Sequence, residues 1–301
     1  MDSPRKTPDE TLALAVSAFV DPRTPARIHA VLRSEGRDGL KRRFLALGEA
    51  DRDTVIAKAN ELADKGIYAV LYGDDLYPRQ LERLATSSPI FFCWGNPELF
   101  SAPSIGMCGS RKATDLGLKA AALCGEEASA SGIAVVSGYA KGVDTTTHLA
   151  ALESGGKTVI VLPEGIDGFR IKKDFPRDLF RKENVLAVSQ FAPRQPWTAG
   201  AAMTRNKVIY GLGLALVVIE AGDSGGTLAA GEGALANGRP VLVLDFDGST
   251  PPGNRILLQR GGIPVPNRRK LHDVLRDLPR TLDEPNAKQL DLLDTTSAAH
   301  L

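Results

Sequence analysis

Four short segments of this sequence combine glycine with hydroxyls, charged side chains or both. They are Gly109-Ser110-Arg111-Lys112, Ser137-Gly138-Tyr139-Ala140-Lys141-Gly142-Val143-Asp144, Pro163-Glu164-Gly165-Ile166-Asp167 and Ala221-Gly222-Asp223-Ser224-Gly225-Gly226-Thr227-Leu228. Each follows an apolar run and opens, or leads toward, a helical pattern. Glycines let backbone N–H groups approach an anion closely, and a helix N-terminus adds partial positive charge. Ser110, Ser137, Ser224 and Thr227 supply hydroxyls that can donate to phosphate oxygens, while Arg111, Lys112 and Lys141 supply full charge. Taken singly, such a turn is an ordinary strand-to-helix connection. Several at one sheet edge make a phosphate-binding cleft. None fits Gly-x-Gly-x-x-Gly or Gly-x-x-x-x-Gly-Lys-Ser/Thr, which argues against a standard dinucleotide site and against an NTPase.

A second signal is local charge. Between Gly168 and Lys207 stand Arg170, Lys172, Lys173, Arg177, Arg181, Lys182, Arg194, Arg205 and Lys207, against Asp174, Asp178 and Glu183. Phe169, Phe175, Phe180, Phe191 and Trp197 are interleaved. Cations can track a phosphate backbone and aromatic planes can stack on unpaired bases. A surface loop pinned to the core by its aromatics produces the same pattern, and Phe175 and Phe180 suit that use. Catalytic sets are poor. His148 lies four residues after Asp144 on one helix face and reads as a packing or hydrogen-bonding residue. Ser137, Asp144 and His148 have no nucleophile elbow around them. Glu164 and Glu220 sit at strand ends, where Glu220 can accept from backbone or ribose hydroxyls or cap the next turn. Cys93, Cys108 and Cys124 have no zinc-type spacing, and three thiols cannot all pair within one chain. No cofactor and no metal are expected.

The elements that must position these residues alternate. Ile67–Leu71, Ile90–Trp94, Ser104–Cys108, Ile133–Ser137, Thr158–Leu162, Val185–Val188, Ala215–Glu220 and Pro240–Leu244 read as strands. Asp115–Ser131, Asp144–Ser154, Ala202–Tyr210 and Leu228–Ala236 read as helices, three of them closed by Gly132, Gly155 and Gly238. The strands are continuous apolar runs, as in parallel strands buried on both faces. Strand–helix alternation then predicts an α/β, doubly wound, mostly parallel sheet, with ligands outside the carboxyl ends of its strands. Before it, Thr11–Phe19, Pro25–Arg33 and Asp51–Asp64 read as helices. The expected division is a helical domain over 1–65, the sheet domain over 66–266, and a C-terminal helix and flexible tail over 267–301.

Composition sets the outer bounds. The chain has 301 residues, 37 Lys plus Arg and 36 Asp plus Glu, for a formal charge of +1. That excludes a global polycation but not a polarised surface. Hydrophobic residues at 43% and charged residues at 24% fit a globular protein, not a disordered chain. No signal-peptide core or membrane-length apolar run is present, so a cytoplasmic, non-membrane protein is expected.

The strings Gly109-Ser110-Arg111, Ser137 to Asp144 with His148, Arg205-Asn206-Lys207-Val208-Ile209-Tyr210-Gly211-Leu212, and Val218-Ile219-Glu220-Ala221 with Gly225-Gly226-Thr227-Leu228 resemble, in order and spacing, the DprA/Smf family, the DNA-processing protein A group. Tyr77-Pro78-Arg79-Gln80-Leu81 and Trp94-Gly95-Asn96-Pro97-Glu98-Leu99 resemble its lead-in. The resemblance implies an extended Rossmann-like domain that binds single-stranded DNA in a basic pocket without being an enzyme. It also implies a homodimer that assists a RecA-type recombinase during recombination or natural transformation. By matching motif the binding residues are Gly109, Ser110, Arg111, Ser137, Lys141, Arg205, Asn206 and Lys207. The candidate set adds Lys112, Gly138, Gly142, Ser224, Gly225, Gly226 and Thr227.

This chain departs from the family in several ways, among them a rewritten, more basic stretch from Arg170 to Arg181 and N-terminal helices without a clear helix-hairpin-helix glycine signature. Pro163-Glu164-Gly165-Ile166-Asp167 replaces a Gly-x-Gly-Leu-Asp turn. Lys141 replaces the usual Arg, keeping charge but losing the planar fork. Residues 267–301 are expected to be too few for the winged helix some members carry. Two other classes remain open: a nucleotide-ligand sensor of the same superfamily, and a nucleoside-monophosphate phosphoribohydrolase. Gly225-Gly226-Thr227-Leu228 faintly resembles the hydrolase loop, although Ala229 stands where that loop has an acid.

Overall fold

The computed structural model describes residues 9–82, 84 and 87–278. Along the chain come helices α1 (Glu10–Ala18), α2 (Pro25–Ala46) and α3 (Glu49–Asp64), strand β1 (Ile67–Leu71), the short α4 (Arg79–Glu82) and β2 (Ile90–Gly95). Then follow β3 (Ser104–Cys108), α5 (Asp115–Ala130), β4 (Ala134–Ser137), α6 (Val143–Glu153), β5 (Thr158–Val161), β6 (Val185–Ser189) and α7 (Ala199–Leu212). The series closes with β7 (Leu216–Val218), α8 (Gly226–Ala236), β8 (Val241–Leu244), α9 (Pro252–Gln259), β9 (Ile263–Val265) and α10 (Arg268–Asp277).

The chain forms two compact units: one takes the chain up to Ser101 with Thr158–Val208, the other Ala102–Lys157 with the chain from Ile209 onward. This differs from the expected cuts at 65 and 266. The N-terminal helices fall in the same compact unit as β1 and β2. Leu12, Ala15, Ile28, Val55 and Leu62 are buried within the same unit as β1 and β2. Likewise α10 is no appendage. Its Leu271, Val274 and Leu275 enter the core cluster of the second unit. The expected tail over 282–301 lies outside the described residues.

In the first unit the strand order is β1-β2-β6-β5. The β1–β2 and β2–β6 pairs are antiparallel, and β5–β6 is parallel. Among the described residues, the return from β1 to β2 contains one helix, the four-residue α4, and the two strands pair antiparallel. Helix α2 runs well past the expected end at Arg33. Gly36, at φ 60 and ψ −156, kinks it, and its charged second half pairs Arg42 and Arg43 with Glu35.

In the second unit the order is β4-β3-β7-β8-β9, parallel throughout. From β3 the chain steps one way to β4 and the other way to β7. This is a doubly wound α/β sheet with its switch point between β3 and β7, where the two following loops diverge and leave a crevice. One face carries Ile105, Met107, Val135, Val217 and Leu242 against Ala121, Cys124 and Ala128 of α5 and against α10. Burial on both faces is why these strands read as unbroken apolar runs. Neither α9 nor β9 was expected. A Pro-Pro start hid the helix, and β9 contributes only three residues around Pro264.

Candidate functional site

The register fixes where the glycine-bearing turns of the second unit begin. Gly106 pairs with Val136 and Leu216, Cys108 with Val218, and Val218 with Val243. The loops after β3, β4 and β7 therefore leave from one edge, and those after β3 and β7 flank the switch point.

The β3 and β4 turns are locked together. A Cβ on Gly142 would lie 2.5 Å from the Ser110 carbonyl oxygen, and Gly142 also has φ +79. A Cβ on Gly109 would lie 2.4 Å from Val143. Val143 N–H donates to the Ser110 carbonyl at 3.3 Å. Ser110 Oγ accepts from Lys112 N–H at 3.0 Å, a local turn that carries Arg111 and Lys112 outward, both exposed.

The 137–142 turn is tied back to its own helix. Asp144 accepts from Ala140 N–H at 3.2 Å, and Thr145 Oγ1 donates to the Ala140 carbonyl at 2.6 Å. His148 Nε2 lies 2.6 Å from the Gly138 carbonyl and is fully buried. This bears out the reading of His148 as a hydrogen-bonding residue. Lys141 sits exposed at the tip.

Ser137 requires a correction. Its hydroxyl is buried and donates to the Met107 carbonyl at 2.7 Å. That bond ties β4 to β3, so the hydroxyl proton is not available to a phosphate.

The third helix start contrasts with the other two. Thr114 caps α5 by accepting from Gly117 N–H, and Glu220 accepts from Thr114 N–H at 3.0 Å and its hydroxyl at 2.8 Å. The carboxylate already occupies this positive helix end. It passes so close that a Cβ on Gly117 would lie 2.1 Å from Oε2. Helices α6 and α8 instead start on Gly142 and Gly225 with no side-chain cap. Ser224, Gly225 and Gly226 are exposed and Thr227 is half-buried. Asn254 holds this loop in place: it is fully buried, accepts from Ala221 N–H, and donates to Ile219 and Leu244. Sequence reasoning missed Thr114, Gly117 and Asn254. Thr-Asp before an apolar helix is a cap signal that exposes the first, whereas Asn254 leaves none.

Arg205, Asn206 and Lys207 lie on α7, in the first unit. Arg205 is only 5% exposed and donates to the Val161 carbonyl at 2.9 Å, which gives it a structural bond at the end of β5. Asn206 is half-buried and Lys207 exposed. The turn after β5 is closed by Gly165, whose Cβ would lie 2.2 Å from the Pro193 carbonyl oxygen. Burial raises the Glu164 carboxyl, opposed by Arg205 and Lys172. Nearby cations thus face the acid that a phosphate would otherwise meet alone. Asp167 is different. Burial pushes it up, but bonds from Lys58 and Lys65 prevail and hold it at about 2.

The basic segment is pinned by its aromatics. Phe175 and Phe180 are buried and meet edge to face at 5.1 Å. Phe180 stacks on Trp94 at 6.0 Å, and Phe169 packs on both. Lys173, Arg177, Arg181 and Lys182 remain outside, exposed. Trp197 is 49% exposed.

Among the described residues no group of three His, Cys, Asp or Glu could hold a metal, and no helix is long and apolar enough to cross a membrane. The three cysteines are free and buried.

A family model, DNA recombination-mediator protein A, matches residues 68–276. The chain belongs to this family. DNA processing protein DprA of Streptococcus pneumoniae is 32% identical over 173 residues, covering 57% of this chain and 60% of that protein. Protein Smf of Synechocystis is 28% identical over 243 residues, covering 76% of this chain and 60% of that one. The chain thus spans about 60% of the length of these relatives. The X-ray structure of the Streptococcus pneumoniae protein matches at a TM-score of 0.66 with 25% identity, over 91% of this chain and 95% of that one. A structure concerning the single-stranded DNA binding mode of DNA processing protein A from Helicobacter pylori matches at 0.62 with 20% identity, over 71% and 97%, a likeness of fold. Family and fold agree on a Rossmann-like α/β sheet.

Proposed function

We propose that this chain binds single-stranded DNA through the turns after β3, β4 and β7, as a recombination mediator of its family. The observation that carries the reading is the arrangement around Arg111, Lys112 and Lys141. These exposed cations ride on two glycine turns whose own polar groups are engaged internally: Asp144 by Ala140, Ser110 by Lys112, His148 by Gly138. Cations held outward on preorganised backbone suit a phosphate chain and lose little entropy on binding it. The open starts of α6 and α8, with Ser224, Gly225, Gly226 and Thr227, extend the same edge. Asn206 and Lys207 of α7 belong to the proposed DNA-binding set on family grounds, with Arg205 buried beside them. That the structure of the Helicobacter pylori relative concerns a single-stranded DNA binding mode supports this reading.

The protein acts without catalysis in this reading. Ser137, Asp144 and His148, the nearest approach to a triad, are all engaged in holding the turn, which favours a binding protein over a phosphoribohydrolase. A RecA-type recombinase as the protein partner, a homodimer as the working form, a cytoplasmic setting and a part in competence complete the proposal on family grounds. The test is titration of labelled oligo-dT of ~10–20 nucleotides at two salt concentrations. Affinity that falls steeply with salt is expected, because several phosphates are neutralised. Salt-independent affinity, or no binding at low salt, would defeat the reading.

A further inference from the structure

One residue of the first unit gathers bonds from three separate segments. Asp167 lies in the turn after β5, and its carboxylate accepts from Lys58 and Lys65 of α3 and from Arg194 Nε at 3.4 Å. Its N–H donates to the Pro193 carbonyl at 3.0 Å, and its own carbonyl accepts from Arg170 at 3.1 Å. Glu61 of α3 joins the same network, accepting from Lys58 and Lys65 at 2.9 Å each and from Arg194 at 3.2 Å. Ion pairs on an open surface contribute little. Here the side chains of Asp167 and Lys58 are each only 12% exposed, so losing one partner leaves a partly desolvated charge unanswered.

The turn that this network fixes is a seat for α7. Gly165 N–H donates to the Gln195 carbonyl at 2.8 Å, beside the bond from Asp167 to Pro193. The turn after β5 and the 193–195 backbone are therefore pinned to each other at two points. Three residues further on, Thr198 Oγ1 accepts from Ala201 N–H at 3.0 Å and caps the start of α7. Along the helix, Arg205 donates to the carbonyl of Val161, the last residue of β5. Helix α7 is thus set against the end of β5 twice, through its lead-in and through Arg205, and Asn206 and Lys207 come next in the chain. The negative charge of Asp167 works against a polyanion. Its use on a basic surface lies in the backbone it holds.

We propose that Asp167 is a positioning residue for DNA binding: braced by α3, it seats the 193–198 loop and the start of α7, so that Asn206 and Lys207 meet the strand in one fixed arrangement. This role rests on the single-stranded DNA reading. It gives α3 a part in binding without any contact with DNA. It also reverses the sign expected of an acid. Long-range attraction alone makes removal of an anion tighten the hold on a polyanion. A positioning role makes the same removal weaken it, because side chains on a loosened helix start must be ordered on binding.

The experiment titrates oligo-dT into the full chain and into Asp167→Asn, Glu61→Gln, Val55→Ala, Lys207→Ala and the double variant Asp167→Asn, Lys207→Ala, each below its melting temperature. Asp167→Asn should weaken binding about tenfold, the scale of ordering one or two side chains on association. Glu61→Gln, at a half-exposed position that the fold tolerates, should weaken it in the same direction by a smaller factor. Val55 is buried in α3 away from this network, so Val55→Ala should lower the melting temperature and leave the affinity of the folded chain as it was. In the Lys207→Ala background, Asp167→Asn should add little, since the two act through one helix. Affinity unchanged or raised in Asp167→Asn overturns the proposal while leaving the DNA reading intact. So does a weakening that Val55→Ala reproduces, or one that persists in full without Lys207. Where Asp167→Asn does not fold, the sign of the Glu61→Gln effect decides. If the wild-type chain binds no oligo-dT at low salt, the DNA reading fails and the positioning role fails with it.

Discussion

The switch-point turns and the 168–184 segment both place cations on irregular backbone, but they are held by different physics. The turns carry few cations and are fixed by hydrogen bonds and by glycines that leave no room for a Cβ. The segment carries more cations and is fixed by an aromatic cluster, Phe169, Phe175, Phe180 and Trp94, with the charges left outside. Preorganisation and charge density are therefore separate properties here. On the proposed function the turns would offer defined positions to individual phosphates, whereas the segment would offer an attractive field whose members sample many positions. The first arrangement would then give affinity per contact, and the second would mainly steer approach.

Removing the anchor of the segment is the harshest way to break this contrast. Phe175→Ala should cost about 3–5 kcal/mol of stability, as large aromatic truncations in cores do, and urea denaturation measures it. If the loss is under 1 kcal/mol, the segment is not held by its aromatics. Next comes Gly142→Ala, which forces a left-handed φ on a residue with a Cβ and drives that Cβ into the Ser110 carbonyl. A loss of about 2–4 kcal/mol is expected, accompanied by weakened oligo-dT binding even where the chain remains folded.

His148→Ala leaves the Gly138 carbonyl without its partner and should destabilise by about 1–3 kcal/mol. At temperatures where the variant is folded, DNA affinity should change little. An intact fold with abolished binding would give His148 a direct role.

Arg111→Ala should lower oligo-dT affinity roughly tenfold and reduce the salt slope by about 0.7, the value for one phosphate contact on a single strand. The pair Lys173→Ala, Arg177→Ala should act differently, slowing association at low salt while changing the dissociation rate less than twofold, an order-of-magnitude expectation for steering charges. Equal effects from both sets in stopped-flow measurements would erase the distinction.

Asp167 gives the mildest test. Its folded-state carboxyl sits below its ordinary value, so the stability it contributes is present above the unfolded value of roughly 3.9 and is lost as pH falls toward about 2. Asp167→Asn should flatten the acid limb of stability against pH, and an unchanged limb would remove the Lys58 and Lys65 bonds from that account.

Much of this was legible in residue order. Continuous apolar strands, glycine-closed helices and the four turns located the sheet and its ligand edge, because buried parallel strands and helix starts leave strong local patterns. What was not legible depended on partners far along the chain. Ser137 reads as an available hydroxyl, and only the β3–β4 pairing reveals the Met107 carbonyl that takes its proton. Arg205 reads as a surface cation within a basic run, but its guanidinium reaches the Val161 carbonyl, 44 residues away. Glu220 offered two uses, and Thr114, 106 residues away, selected one. The division of the chain was missed for a similar reason: the apolar faces of α1–α3 look sufficient for a small domain until β1 is seen to complete them.

One consequence follows from the order in which the two units appear along the chain. The first unit is complete once Val208 has been made, whereas the second then has only Ala102–Lys157, little more than a third of its residues. At that moment β3 has β4 on one side and nothing from its own unit on the other, since β7, β8 and β9 are still to come. An unpaired, fully apolar strand edge is a template for wrong partners. The nascent protein therefore passes through a stage on the ribosome in which Gly106 and Met107 wait for Leu216 and Val217. A pause in translation just after residue 208 would lengthen that wait and lower the yield of folded chain.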